Sequence, residues 1–386
     1  MTHSSTETPS RSSTVRMSRV LHVSWVVALG LGATVGLGVF TLLGEFSALT
    51  ARRVGLAYAV VLPFSVPILL TFLERALSVP GTGGAYQFAR TNRFLWHRFF
   101  SGWLLFGGYV VTVALLSWGV AFYLETLVAE TGFRLPLNRS WLAALSVALI
   151  MASTLFNRRL NWQRRFVLTM AAVGILLLVL VMGIVIPSSS ISSVRPLPAS
   201  MLLLEVVTLM TSCLWGIYLV LGVRAQLQRP TTNMRWALVL PVVGLAIVGM
   251  LAGVAMSLYG GALQNTSLPL VDVLRSFNVA TAGLVLLLYL LAGLAITLMA
   301  ANRAILAAAQ LLDRMSNDGF VPKLNQYLPD LENPAFPAIV LGSGLSLGLV
   351  LFCLLYTSPS PRDHSRYRVC RLLRETAGGG GGGGGG

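Results

Sequence analysis

Runs of about 20 apolar residues recur along the chain, and each is long enough to cross a bilayer as an α-helix. Only helices and closed barrels can bury all their backbone polar groups in lipid. The chain is 55% hydrophobic and 11% charged, with a mean hydropathy of +0.76. We predict an all-α polytopic membrane protein with nine spans, near 22–44, 54–74, 99–123, 141–156, 166–186, 201–223, 236–259, 277–301 and 336–356.

The positive charges, which give a net charge of +15, fall in alternate loops. Loops rich in arginine face the cytoplasm, so we expect a cytoplasmic N-terminus in a bacterial inner (plasma) membrane. Short clusters of this kind are topology signals, so no nucleic-acid partner is expected. Residues 1–21 predict a disordered tail, and the cytoplasmic 302–335 loop is expected to hold a short helix around 304–315. The three cysteines are scattered and predict neither a disulfide framework nor a metal site. We expect no cofactor and no enzymatic activity.

The first span contains four glycines in "GLGATVGLGVF", residues 30–40. A nucleotide-binding turn is the weakest interpretation, because no strand precedes it and no P-loop lysine follows. Gly32 and Gly36 also fit a small-xxx-small packing face. The third interpretation is a deliberately broken helix, whose unwound centre exposes backbone groups to a substrate.

The sixth predicted span, "MTSCLWGIYLVLG", is also interrupted by glycine, with Gly216 near its middle. Paired interrupted spans in two halves are typical of transporters with internal repeats. Spans 1 and 6 would each begin a repeat of five helices, and the odd number inverts the second repeat. This favours a broken first span and a transporter domain over 22–352, with one repeat at 22–186 and a second from 201.

Several motifs in this order resemble the amino acid–polyamine–organocation (APC) superfamily. They are Gly30–Phe40, Pro80–Tyr86 (P-x-x-G-G-x-Y), Arg229-Pro230 with Trp236-Ala237, Ala301–Ala304 and Asn317–Pro322. The resemblance implies a LeuT-type five-plus-five inverted repeat and a permease that moves amino acids by alternating access. The substrate-binding residues it implies are Ala33, Thr34, Val35, Gly36, Leu37, Gly38, Ser212, Trp215 and Gly216, with Trp215 as an aromatic wall or gate. It places a candidate coupling-ion site at Ala33, Gly36 and Thr297.

The sequence departs from the family at positions that bear on coupling. Leu37 narrows the site, and Tyr218 and Ala225-Gln226 stand where acidic residues are usual. The fifth span has no lysine that could take the place of sodium, so neither Na⁺ nor H⁺ coupling is favoured, and exchange or facilitated transport stays open. No charged residue falls at the centre of a predicted span, which favours a neutral amino acid over a polyamine.

Two rival functions remain open at this stage. A non-transporting sensor or scaffold would keep the fold and lose coupling. A channel is less favoured, because no filter-like or ring-forming charged segment is present.

From Cys353 onward the amino-acid sequence no longer resembles the apolar spans and short loops that precede it. "CLLYTSPSPRD" and "VCRLL" can be encoded by the two parts of a sequencing-library adapter, and Gly378–Gly386 by a run of G. We interpret 353–386 as adapter read-through with a poly-Gly tail, and the 22–352 domain as a fragment whose second repeat is incomplete. A flexible glycine linker is the alternative.

Overall fold

The computed structural model describes residues 21–50, 54–79, 84–91, 93–133, 139–156, 162–186, 211–259, 268–277, 282–322 and 336–357. Within these ranges the elements are helices, which confirms the all-α prediction. In chain order they are α1 (Val23–Val35), a π-helical segment (Gly36–Thr41), α2 (Leu43–Thr50), α3 (Val54–Ser78), α4 (Tyr86–Arg90), α5 (Leu95–Glu130), α6 (Arg139–Phe156), α7 (Trp162–Val185), α8 (Trp215–Gly222), a 3₁₀ turn (Arg224–Gln226), α9 (Pro230–Tyr259), α10 (Pro269–Arg275), α11 (Ala282–Asn317) and α12 (Phe336–Thr357).

Six helical stretches among the described residues are long and apolar enough to cross a membrane. They are Val23–Thr41, Val54–Ser78, Leu95–Glu130, Trp162–Val185, Pro230–Tyr259 and Ala282–Asn317. Shorter apolar helices lie at the other three predicted spans. The structure therefore has the helical, apolar character of a multi-pass membrane protein.

Two helices run well past the spans predicted for them. Both α5 and α11 contain 36 residues, or about 54 Å at 1.5 Å per residue, which exceeds the hydrocarbon core of a bilayer. The prediction of a separate short helix at 304–315 is wrong, because that segment continues α11. No glycine or proline lies between Gly293 and Gly319 to end the helix earlier.

The first helical stretch lies at the centre of the molecule. Helix α1 packs against α7, α8, α9 and α11, and the π-helical segment contacts α5, α9 and α11. Around this centre, α5 packs along α11 and α3 along α9. Large apolar side chains stay exposed on the outer faces, for example Leu56, Leu104 and Val185. A lipid-facing surface has this composition, because hydrocarbon replaces water as the solvent.

The predicted N-terminal tail, residues 1–21, extends one residue too far. Residues 1–20 lie outside the described ranges, but Leu21 is buried. Its N–H donates to the Gln226 carbonyl and its carbonyl accepts from the Gln228 N–H, both at 2.9 Å. At the other end α12 runs to Thr357 and 358–386 lie outside the described ranges, so the read-through interpretation stays a prediction.

Helices α3 and α9 approach closely through small residues. A Cβ added at Gly253 would overlap the backbone of Gly55, and one added at Gly249 would overlap the Tyr58 ring. Close backbone approach of this kind is how helices gain van der Waals contact in lipid. The pair Gly55–Gly253 therefore sets the separation of these two helices.

Replacing Gly253 by alanine is expected to lower the free energy of unfolding by about 1–3 kcal/mol, because two backbones must separate to admit the methyl group. The matched control is Gly174→Ala in α7, where an added Cβ has nothing within 4 Å. Alanine favours the helix there, so stability should hold or rise. Thermal unfolding in detergent measures both, and equal stability of the two variants would contradict the close-approach argument.

Candidate functional site

The first helical stretch changes geometry at Gly36. Val23–Val35 is α-helical and Gly36–Thr41 is π-helical. The Gly36 N–H donates to the carbonyls of Gly32 and Ala33, and the Leu42 N–H donates to the Leu37 carbonyl at 3.0 Å. The predicted unwound stretch is therefore wrong: helical bonding continues in a wider turn. A bonded wide turn costs less in an apolar interior than bare peptide groups would.

Side-chain hydroxyls bond the carbonyls of the π-helical segment. The Thr41 hydroxyl donates to the Gly36 carbonyl (2.9 Å), the Tyr58 hydroxyl to the Gly38 carbonyl (2.6 Å) and the Tyr123 hydroxyl to the Phe40 carbonyl (2.8 Å). Tyr58 belongs to α3 and Tyr123 to α5, and both are fully buried. The segment is thus tied by its main chain to two neighbouring helices. Such bonds can be exchanged for others without unfolding a helix.

The sixth predicted span changes geometry at Leu214, two residues before Gly216. The Leu214 N–H donates to the Thr211 carbonyl at 3.1 Å, and the Ile217 N–H donates to the Leu214 carbonyl at 2.9 Å. These i→i−3 bonds form a tight turn ahead of α8. Gly216 itself lies inside α8. The first part of this span, 201–210, lies outside the described residues.

Helices α1 and α8 meet at the predicted substrate residues. A Cβ at Gly216 would lie 2.6 Å from Thr34 Cγ2 and 2.8 Å from Thr34 N, and its third neighbour is Ala33. A Cβ at Gly38 would lie 3.1 Å from Cys213 Sγ. The two glycine-containing spans are therefore brought together, and small residues make the contact, as the packing interpretation expects.

The predicted site is closed in this structure. Val35 and Leu37 are at most 1% exposed, and the Thr34 hydroxyl donates to the Gly30 carbonyl at 2.9 Å. A Cβ at Gly38 would lie 2.8 Å from Leu245 of α9. Ser212 is half-buried. The substrate-binding roles of these residues stay predictions.

Trp215 lies against α5. A Cβ at Gly108 would overlap its ring, which is 5.7 Å from the Tyr109 ring and 4.7 Å from the Tyr218 ring, centroid to centroid. The tryptophan thus fills the space between α5 and α8. The role of wall or gate stays a prediction.

The predicted coupling-ion residues lie on α1 and α11. A Cβ at Gly36 would lie 3.7 Å from Ile296 and Ala300 of α11, at ordinary contact distance. The Thr297 hydroxyl is buried and donates to the Gly293 carbonyl at 2.6 Å. No cluster of metal-ligating His, Cys, Asp or Glu side chains occurs in the described ranges. Ala33 lines a small cavity between α1, α7 and α11.

An ionic cluster around the buried carboxylate of Asp318, which sequence reasoning missed, joins the start of α5 to the end of α11. Asp318 pairs with Arg90 and Arg98, both at 3.0 Å, and accepts from the Tyr86 hydroxyl at 2.9 Å. Burial raises the pKa of Tyr86, and its hydrogen bond to Asp318 raises it further, so the phenol stays protonated and donates. Tyr86 and Asp318 belong to two of the motifs quoted above, Pro80–Tyr86 and Asn317–Pro322. Their place in these motifs was the one feature of the sequence that could have indicated the cluster.

Two glycines turn the chain into this cluster. Gly84 has φ of 61° and leads into α4, which begins at Tyr86. Gly319 has φ of 82°, and the Phe320 N–H donates to the Met315 carbonyl at 2.9 Å. Glycine adopts this left-handed conformation without the Cβ penalty, and at the end of a helix it is a common stop. Both turns fix Asp318 beside its partners.

Comparison with models of protein families and with curated proteins finds no match to this sequence.

Replacing Asp318 by asparagine is expected to lower the free energy of unfolding by about 1.5–3 kcal/mol, because it removes a buried carboxylate that accepts from the partly buried Arg98 and the exposed Arg90. The control is Glu125→Gln, which breaks the exposed pair with Arg139 and should cost less than about 1 kcal/mol. Chemical unfolding in detergent measures both variants. Similar losses in the two would show that the cluster is an ordinary surface pair.

Proposed function

We propose that this protein is a secondary transporter, a permease that moves a neutral amino acid across the inner membrane by alternating access. The observation that carries the proposal is the π-helical segment that forms the last part of the first span, Gly36–Thr41 of Val23–Thr41. There the backbone changes geometry inside the apolar core, next to α5, α9 and α11. Functional sites in helices often coincide with π-helical turns.

The hydroxyl bonds on this segment suggest how a substrate could be taken up. A typical hydrogen bond contributes about 1 kcal/mol net to stability. Replacing the hydroxyl bonds of Tyr58 and Thr41 by bonds to a substrate therefore requires little free energy. An ammonium group could take the Gly36 and Gly38 carbonyls once those hydroxyls turn away. A zwitterion needs no fixed counter-charge beyond backbone groups and helix ends. The present structure would then be a closed state.

The fold class behind this proposal is the five-plus-five inverted repeat of APC-type permeases. Its support is the meeting of the first and sixth spans at Thr34 and Gly216. A coupling ion, H⁺ or Na⁺, would be sensed at Ala33, Gly36 and Thr297, and exchange without a coupling ion is the alternative.

A sensor or scaffold without transport is the second candidate. The close packing of Leu37 and Gly38 favours it, because a permanently filled site would leave the π-helical segment as a fixed part of the core. Partner binding without uptake would distinguish this candidate from the permease.

Uptake of radiolabelled amino acids tests the proposal in cells that express the source gene. Gly36→Leu should abolish saturable uptake, because the side chain must displace Ile296 and Ala300 of α11. Gly36→Ala should retain most uptake, since its Cβ meets only ordinary contacts. Gly283→Leu is the size-matched control at a position with nothing within 4 Å of an added Cβ.

Uptake that survives in Gly36→Leu would contradict the site assignment. A complementary measurement is the Tm of the purified protein with each amino acid in turn, because a ligand that binds only the native state raises Tm. If no amino acid is taken up and none raises Tm, the permease proposal fails.

A further inference from the structure

A small cavity at one end of α1, α7 and α11 brings two arginines together. Its polar and aromatic lining is Trp25, Trp162, Arg165, Thr169 and Arg303. The volume open to the centre of a water-sized sphere is about 30 Å³. Since about 10–15 Å³ of such volume holds one water molecule, the cavity has room for about two water-sized particles.

The guanidinium group of Arg303 has an Nε–H that is not hydrogen-bonded. Its guanidinium carbon lies 4.0 Å from the centroid of a Trp162 ring, so one flat face is engaged by a cation–π contact. Its Nε is buried and has no hydrogen-bond partner. A buried, charged donor left unpaired is costly, and guanidinium groups bond anions along the edge that Nε shares.

Arg165 adds a second positive charge to the same wall, and the two arginines repel each other. Among the described residues that line the cavity there is no Asp or Glu. The unpaired Nε–H of Arg303 is therefore available to an anion in this positively charged space. The remaining lining is mainly apolar, including Ala28, Leu29, Phe166 and Met299, and such a lining strengthens electrostatic attraction.

We propose that this cavity binds a small monovalent anion of halide size, with chloride as the abundant example. The Nε–H of Arg303 donates to the anion, and the charge of Arg165 attracts it. The volume of the cavity is sufficient for an ion of this size. The cavity shares Ala33 with the candidate coupling-ion residues, but Arg165 and Arg303 are not among the candidate transport residues, and the proposal does not depend on the transport activity.

Thermal unfolding of the purified protein in detergent tests the site. Sodium chloride is compared with the sodium salt of a bulky sulfonate buffer at the same ionic strength. Chloride should raise the Tm of the native protein by about 2 °C or more and leave that of Arg303→Gln unchanged. Arg164→Gln, which removes the same charge from an exposed neighbouring position, should keep the full chloride shift. A chloride shift that persists in Arg303→Gln, or is absent from the native protein, overturns the proposal.

A second measurement needs no variant. Iodide quenches tryptophan fluorescence, and Trp25 and Trp162 line the cavity. Iodide bound at the site should give a saturable quenching component that chloride relieves. Purely linear quenching that chloride does not change overturns the proposal.

The same arginines could instead hold the phosphate of a lipid headgroup, and nanodiscs distinguish the two sources. With phosphatidylcholine alone the chloride shift should persist, and added phosphatidylglycerol should not remove it. Loss of the shift on adding phosphatidylglycerol would assign the arginines to lipid and overturn the halide proposal.

Discussion

Backbone peptide groups inside a bilayer must find hydrogen-bond partners, and the architecture depends on how the first span meets that requirement. Its glycines permit a departure from α geometry, and the chain departs at Gly36 without giving up its bonds. The wider turn places carbonyls within reach of hydroxyls from α3 and α5. The centre of the molecule is therefore held by bonds from side-chain hydroxyls to main-chain carbonyls, which the π-helical segment can accept only while α3 and α5 stay in place.

Away from this centre, at the arginine-rich ends of the helices, ionic contacts hold the helices together. Asp318 joins the start of α5 to the end of α11 through Arg90, Arg98 and Tyr86. The cavity with Arg165 and Arg303 lies on the same side in the predicted orientation, since it is formed by the starts of α1 and α7 and the later part of α11. If the helices move against each other in the proposed transport cycle, the Asp318 contacts at this side and the hydroxyl bonds at the centre would both have to rearrange.

Much of the fold could be predicted from the sequence, because apolar runs of membrane-spanning length have few alternative structures. Helices lie at all nine predicted positions within the described residues. Their ends were less predictable: α11 continues through Asn302 and Arg303 because helix propensity, and not hydropathy, decides where it stops. The glycines of the first span showed where the geometry changes, but a glycine pattern does not say which bonds replace the lost ones. The pairing of Tyr86 with Asp318 joins residues 232 apart in sequence, and no local pattern predicts such a contact.

Amide hydrogen exchange in the Gly36–Thr41 segment tests the central claim most directly, since it reports whether these peptide groups are bonded and whether a substrate changes them. Without ligand, we expect slow exchange, because the peptide groups of the π-helical turn are bonded. An amino acid that raises Tm should change exchange in this segment and leave a peptide from α6, which packs against α5, α11 and α12, unchanged. Fast exchange without ligand would contradict the bonded segment, and no change with any amino acid would contradict its role in binding.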